Sequence, residues 1–237
     1  MSSSYSSIGK SNKKFYILIY SLYNIEVIHN LQKSITHYIN LLKNVILFFE
    51  WVSMNIIIKE LDKDSINDVQ EFLFKQIKQE FGYGYVPLWH KDIMNMGEYY
   101  INPTKNNFFI ALNENNEIIA TIGIRGYDKN FDVFKGTYFP DKTASIWRLF
   151  VDKKYRRCGL ASKMFSIAED FANNKHYNEI YLHTHKTLDG AIEFWTKMGF
   201  IITLDEGNEL ETVHMEKQIR GLEIPLSHSN FNYAVEF

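Results

Sequence analysis

Alternating strand-like and helix-like runs across residues 55–219 predict an α/β domain of layered architecture, with a separate helical segment ahead of it. Three observations carry that prediction. Short apolar runs and 3.6-residue apolar stripes take turns along the chain. Polar, turn-prone clusters punctuate them. Residues 1–53 follow a different pattern from everything after Met54.

Residues 1–12 are rich in Ser and read as disordered. From Ile28, apolar positions recur at Leu31, Ile35, Tyr38, Leu42, Val45 and Phe49, which is one face of a long amphipathic helix. Such a face suits packing on the domain or on a second subunit, giving a homodimer. Met54, where the domain pattern begins, is the competing start of the working protein. Few lysines on the polar face disfavour a membrane-surface role. Asn55–Leu61 is the first strand-like run. Ser65 is placed to cap a helix with Ile66, Val69, Leu73, Ile77 and Phe81 on one face, Asp68 completing a capping box. An aromatic loop over 82–90 and a short helix over Ile93–Tyr100 follow. Strands fit Phe108–Asn113 and Glu117–Arg125, joined by a turn at Asn113–Asn116. After the loop 126–143 come a strand at Ala144–Val151 and a helix at Gly159–Asn174 carrying Leu160, Met164, Ile167, Ala168 and Phe171. Strand Glu179–Thr184, helix Leu188–Met198 and strands Phe200–Leu204 and Thr212–Lys217 complete the domain. The organisation expected is therefore an extension over 1–53, a domain over 54–219 and a tail over 220–237.

Composition narrows the functional classes. A 237-residue chain with 46% hydrophobic residues has enough apolar surface for a proper core. A net charge of −2 gives no electrostatic footprint for nucleic acid. Cys158 is the single cysteine, which rules out an internal disulfide and fits a reducing, cytoplasmic compartment. The start lacks the basic and apolar regions of a signal peptide. The runs at 15–23 and 45–54 fall short of the roughly 20 apolar residues that span a bilayer. No membrane span and no metal site are expected.

The most informative stretch is Leu149-Phe150-Val151-Asp152-Lys153-Lys154-Tyr155-Arg156-Arg157-Cys158-Gly159-Leu160-Ala161. A strand ends at Val151, a basic turn follows, and a helix opens at Gly159. That junction leaves several N–H groups unpaired at the positive end of a helix dipole, an environment suited to a diphosphate. Gly159 and the small Ala161 let a ligand approach the backbone, and Arg156 and Arg157 add charge.

Residues 149–161 resemble the acetyl-CoA loop of the GNAT superfamily, in which Arg/Gln-x-x-Gly-x-Gly/Ala follows a strand reading Leu-x-Val. Tyr181-Leu182-His183-Thr184 resembles that family's fifth strand, 191–200 its final helix and Gly-Phe turn, and 119–123 its third strand. The resemblance implies a mixed, partly parallel sheet of six to seven strands flanked by helices, with the fourth and fifth strands splayed. It implies acetyl-CoA as cosubstrate, its pantetheine along the backbone of Leu149, Phe150 and Val151 and its pyrophosphate on the amides of Arg157, Cys158, Gly159, Leu160 and Ala161. The activity implied is N-acetyl transfer to a primary amine of a small molecule or protein.

Such transfer needs a neutral amine, a donor for the tetrahedral oxyanion and a departing thiolate. A backbone N–H at the end of strand 144–151 is the oxyanion donor that the resemblance implies. Where relatives carry a glutamate base, this chain has Ser145, which can only position a water. His183 and His185, on one face of their strand by the two-residue period, are the ionisable substitutes; plain hydrogen bonding at a strand end is the competing reading. Trp195 stands where relatives carry a tyrosine acid beside the leaving sulfur, and Leu188 where they carry an asparagine. Cys158 lies inside the cradle, where its backbone is expected to bind and its thiol to be adventitious; a nucleophilic role through an acyl-cysteine is the competing reading, since basic neighbours and a helix N-terminus lower a thiol pKa. Tyr83, Tyr85, Trp89, His90 and the loop 127–143 are expected to border the acceptor cleft. The alternative function is an acyl-CoA sensor without turnover.

Overall fold

Strands buried on both faces belong in the interior of a sheet, and Asn107–Leu112 (β2) and Ile118–Gly126 (β3) meet that condition along nearly their whole length. The structure is a computed structural model describing residues 27–39, 42, 55–129 and 131–219. The remaining strands are Ile57–Glu60 (β1), Thr143–Val151 (β4), Glu179–His185 (β5), Ile201–Asp205 (β6) and Thr212–Gln218 (β7). They form one seven-stranded sheet in the order β1-β2-β3-β4-β5-β7-β6. Every neighbouring pair is antiparallel except β4 and β5, so the sheet is mixed and partly parallel, as expected.

The chain divides into two units, Met1–Met54 and Asn55–Phe237. In the first, residues 27–39 and 42 are helical, with Ile28, Leu31, Ile35, Tyr38 and Leu42 exposed. Val45, Phe49, the start over 1–12 and the tail over 220–237 lie outside the described residues. Among the described residues no helix is long and apolar enough to cross a membrane.

In the second unit, helix α1 (Ile66–Phe81) buries Val69, Phe72, Leu73 and Ile77 against the sheet, and each such side chain contributes roughly 1.5–3 kcal/mol. Gly82, at φ 76°, ends it with an N–H to the Lys78 carbonyl. The expected capping box at Ser65 does not form. Ser65 is already in the helical region and its hydroxyl caps nothing; Asp62 Oδ1 instead accepts the Ser65 N–H at 2.8 Å. The Asp62 carboxyl, bonded by Lys59 and Ser65, is lowered to about 2.

The short helix expected over 93–100 is in fact two pieces, α2 (Lys91–Met94) and a π-turn (Gly97–Ile101). Asn95 leaves the helical region, and its side-chain amide donates back to the Lys91 carbonyl at 2.8 Å. This break brings the Tyr100 hydroxyl within 2.8 Å of Asp92 Oδ2. Helix α3 (Leu160–Asn174) and helix α4 (Ala191–Lys197), which opens after Gly190 rather than at Leu188, cover the opposite face of the sheet. Core side chains therefore lie on both faces, Met164, Phe165 and Phe200 on one, Leu73, Ile77 and Ile93 on the other. Gly123 is required between them and the π-turn: a Cβ there would lie 2.9 Å from Tyr100 Cε1 and 3.0 Å from Phe108 Cδ2.

Candidate active site

The parallel pair β4–β5 is joined only at Thr143↔Glu179, Ala144↔Ile180 and Ser145↔Tyr181, and beyond Ser145 the two strands part. On its other side β4 stays paired with β3, through a bulge between Thr121 and Gly123. Arg148 carries the distortion at φ 50°, a left-handed conformation that a residue with a side chain adopts only where its surroundings hold it there. Those surroundings are specific. The Thr121 hydroxyl donates to the Arg148 carbonyl at 2.8 Å. The guanidinium donates Nε to Asp92 Oδ2 at 3.0 Å, Nη2 to Asp92 Oδ1 at 2.6 Å, and Nη2 to the Trp89 carbonyl at 2.6 Å. Burial alone would raise the Asp92 carboxyl. The bonds and charge of Arg148, aided by Arg125 and Tyr100, outweigh it and hold Asp92 below the ordinary carboxylate value.

Past Val151 the chain makes a tight turn capped by Asp152, whose carboxylate accepts the Lys154 N–H at 3.0 Å. Arg157 at φ 64° and Gly159 at φ 88° then alternate with ordinary backbone, which turns consecutive N–H groups toward one concavity. The amides of Arg157, Cys158, Gly159, Leu160, Ala161 and Ser162 donate to no group of the protein among the described residues; the first intrahelical bond is Lys163 N–H to the Gly159 carbonyl. No atom lies within 4 Å of where a Gly159 Cβ would stand, so the corner is open.

The side chains of the motif divide. Arg156 is turned away from the cradle, donating Nε to the Val151 carbonyl at 2.9 Å and Nη2 to Glu80 at 2.6 Å, so its expected charge at the phosphates is spent on α1. Arg157 stays exposed, 3.9 Å from Asp189. The Cys158 thiol donates to the Tyr155 carbonyl at 2.9 Å. Leu149 packs on the core, as does Val151, while Phe150 meets the layer under α1. Trp195, expected beside the leaving sulfur, is a core residue: its buried indole packs against Phe165 at 5.6 Å and Phe200 at 5.2 Å, because α4 needs an apolar anchor there.

Ser145, His183 and His185 do share one face of the sheet, beside the split. Ser145 is fully buried with an unpartnered hydroxyl, at the last point where β4 and β5 still pair. His183 is held well below the ordinary imidazole value, by burial first and then by the neighbouring Lys129 charge, and its Nδ1 has no partner. His185 Nδ1 lies 3.1 Å from the Leu210 carbonyl. A carbonyl only accepts, so Nδ1 carries a proton, and in the neutral ring Nε2 holds the lone pair. Phe81 stands edge-on to this ring at 6.3 Å, and Tyr83 stacks on Phe81 and His90, so the aromatic loop does reach this end of β5. Tyr127, Phe134 and Tyr138 instead pack on Tyr181 as a separate cluster, Phe131 alone extending to His183 at 5.7 Å.

Sequence reasoning missed the polar groups that shape this face. Asp92 and Arg148 lie 56 residues apart and nothing local links them. Arg125, inside the apolar strand β3, was the readable signal: a charge in such a run needs a partner or a purpose. Its guanidinium stacks 3.7 Å from the Trp147 ring centroid, and Lys129 Nζ stands 3.4 Å from the same ring.

The arrangement matches known proteins. The sequence profile of the Acetyltransferase (GNAT) family matches residues 71–200, more than half of the chain. N-acetylaspartate synthetases of Rattus norvegicus and Homo sapiens are each 22% identical over 111 residues, 47% of this chain and 33% of theirs, so the match spans about a third of those relatives. Among solved structures, a GNAT-family acetyltransferase of Staphylococcus aureus Mu50 superposes with a TM-score of 0.56 at 22% identity, over 70% of this chain and 99% of that one. PaiA N-acetyltransferase of Thermoplasma acidophilum, in complex with coenzyme A, does so at 0.54 and 16% identity, over 70% and 99%. These likenesses concern the fold. The split parallel pair, the bulged fourth strand and the profile match agree: the chain belongs to the acetyltransferase (GNAT) family.

Proposed function

We propose that this protein transfers an acetyl group from acetyl-CoA to a primary amine of a small molecule or protein. The observation that carries the reading is the row of free amides from Arg157 to Ser162, opening beside the β4–β5 split. A diphosphate accepts from those N–H groups at the positive end of α3, with Arg157 at the rim. The pantetheine arm lies along Leu149, Phe150 and Val151, whose backbone edge toward β5 has no strand beside it. In this reading Arg156 and Trp195 support the site through Glu80 and the core rather than touching the carrier.

His185 is the better base of the two histidines. In the neutral ring its Nε2 lone pair is available, whereas burial first, and then nearby positive charge, oppose protonation of His183. The amine nitrogen attacks the thioester carbon, an N–C bond forms, and the carbonyl electrons move to oxygen, which a backbone N–H past the Arg148 bulge stabilises. Collapse breaks the C–S bond. The sulfur leaves as thiolate, needing little help with a thiol pKa of about 8.5, and the ammonium proton passes to His185. N-acetylaspartate, for which the curated relatives are named, is the amide formed when a primary amine is acetylated, which supports an amine acceptor here.

A single cysteine supports a cytoplasmic setting, the exposed stripe Ile28, Leu31, Ile35 and Tyr38 supports a homodimer, and the pattern change at Met54 supports a domain over 54–219. Calorimetric titration with acetyl-CoA followed by thiol release across an amine panel tests the function. Gly159→Glu should abolish binding, and His185→Ala should slow release more than His183→Ala does. Tight binding with no amine-dependent release would favour a non-catalytic sensor.

A further inference from the structure

On the sheet face that carries Ser145 and His183, two guanidinium groups and a lysine amine meet around one indole; burial first, and then the Arg125 charge, hold the Lys129 amine well below its ordinary value. Arg125 stacks on Trp147 at 3.7 Å, Lys129 Nζ lies over the ring at 3.4 Å, and Arg148 stands 5.7 Å away. The available acceptors leave some of their donors unpaired. Asp92 is consumed by Arg148 and Tyr100. Asp128, on the exposed side, takes only Arg125 Nη2, at 3.2 Å. Arg125 is 4% exposed, yet its Nε and Nη1 have no partner, and neither has the buried Trp147 Nε1. An orphaned guanidinium edge at that depth costs about 1–3 kcal/mol or more, so the unpaired Arg125 and Trp147 donors are unfavourable unless an acceptor joins them.

Its place is equally specific. Ser145↔Tyr181 is the last β4–β5 pair; two residues on, Trp147 and His183 are the first same-face side chains on either side of the split. Lys129 lies over the Trp147 ring, and its charge adds to burial in depressing the protonation of His183. The cluster therefore sits beside the split, on the face that carries the proposed base.

We infer that Arg125, Lys129 and Trp147 form a carboxylate subsite, so that the acceptor is a small amine carrying a carboxylate, that is, an amino acid. The planar carboxylate takes the free guanidinium edge, and its charge draws the Lys129 amine back toward the ammonium form, satisfying donors that no hydrogen bond of the protein reaches. This rests on the acetyltransferase reading, and the test separates the two.

The full chain is assayed for thiol release from acetyl-CoA with amino acids, each set against its own carboxamide. At least one free acid should exceed its carboxamide at least tenfold in kcat/KM. Lys129→Met should bring that ratio near one, mainly through KM, and Lys129→Arg should restore it, while acetyl-CoA affinity stays unchanged by calorimetry. Arg125→Gln should act the same way; being buried it is read only if circular dichroism is native, and Lys129→Met decides otherwise. Carboxamides turned over as well as acids, or a ratio that survives Lys129→Met, would overturn the subsite and leave acetyl transfer standing. If no amine is turned over although acetyl-CoA binds, acetyl transfer fails instead. The subsite is then judged by calorimetry with N-acetylated amino acids against their amides: a preference for the acid that Lys129→Met removes upholds it, and equal binding ends it.

Discussion

The Asp92–Arg148 pair lends itself to a quantitative test, because it locks the bulge at the heart of the proposed site. Asp92 is 4% exposed and takes two charge-assisted hydrogen bonds from Arg148 plus one from Tyr100. Asp92→Ala removes all three and leaves the guanidinium with only the Trp89 carbonyl, an uncompensated buried charge that costs about 3–5 kcal/mol. A domain of this size shifts by about 2–4 °C per kcal/mol, so the melting temperature should fall by roughly 10 °C. Asp92→Leu with Arg148→Met should cost less than Asp92→Ala alone, since no stranded charge remains. The pH dependence gives an independent check. Asp92 is held below its unfolded value of about 3.9, so the folded state keeps the carboxylate where the unfolded chain binds a proton. Its contribution is complete above that unfolded value and lost as pH falls through the folded one. Urea denaturation of both proteins at neutral pH and near pH 3 should therefore show the gap between wild type and Asp92→Ala narrowing in acid. A loss under about 1 kcal/mol at neutral pH, or a gap independent of pH, would refute the reasoning.

Two further outcomes follow from the same geometry. Gly123→Ala drives a methyl group against two buried rings, Tyr100 and Phe108, and should cost about 1–3 kcal/mol in urea denaturation. Alkylation of Cys158 places bulk between the free amides of its neighbours, so N-ethylmaleimide should suppress acetyl-CoA binding measured by calorimetry, and prior saturation with acetyl-CoA should slow the modification.

Much of the fold was legible because it rests on local periodicity. The stripe through Val69, Leu73 and Ile77, and the buried runs of β2 and β3, declare themselves within a dozen residues. The cradle was legible for a related reason: a strand end, a glycine and a helix start in succession leave amides unpaired whatever lies elsewhere. What could not be read was decided at a distance. Arg156 looks like a phosphate ligand until Glu80, 76 residues away, is seen to hold it. Trp195 looks like a site residue until Phe165 and Phe200 close around it. The bulge at Arg148 has no glycine to announce it, since side-chain bonds from three segments enforce its left-handed backbone. Even Ser65, with an acidic residue three positions on, is overruled by Asp62 just upstream.

The parting of β4 and β5 makes ligand binding a matter of architecture as well as chemistry. A molecule lying along the bare edge beyond Ser145, as proposed for the pantetheine arm, would serve as an extra strand, bonded to the polypeptide much as a neighbour in the sheet is. Durability then tracks supply: at a concentration one hundred times its dissociation constant, such a molecule adds about 2.7 kcal/mol to the folded state. A cell rich in the thioester would keep this protein longer than one depleted of it, with no dedicated regulator involved.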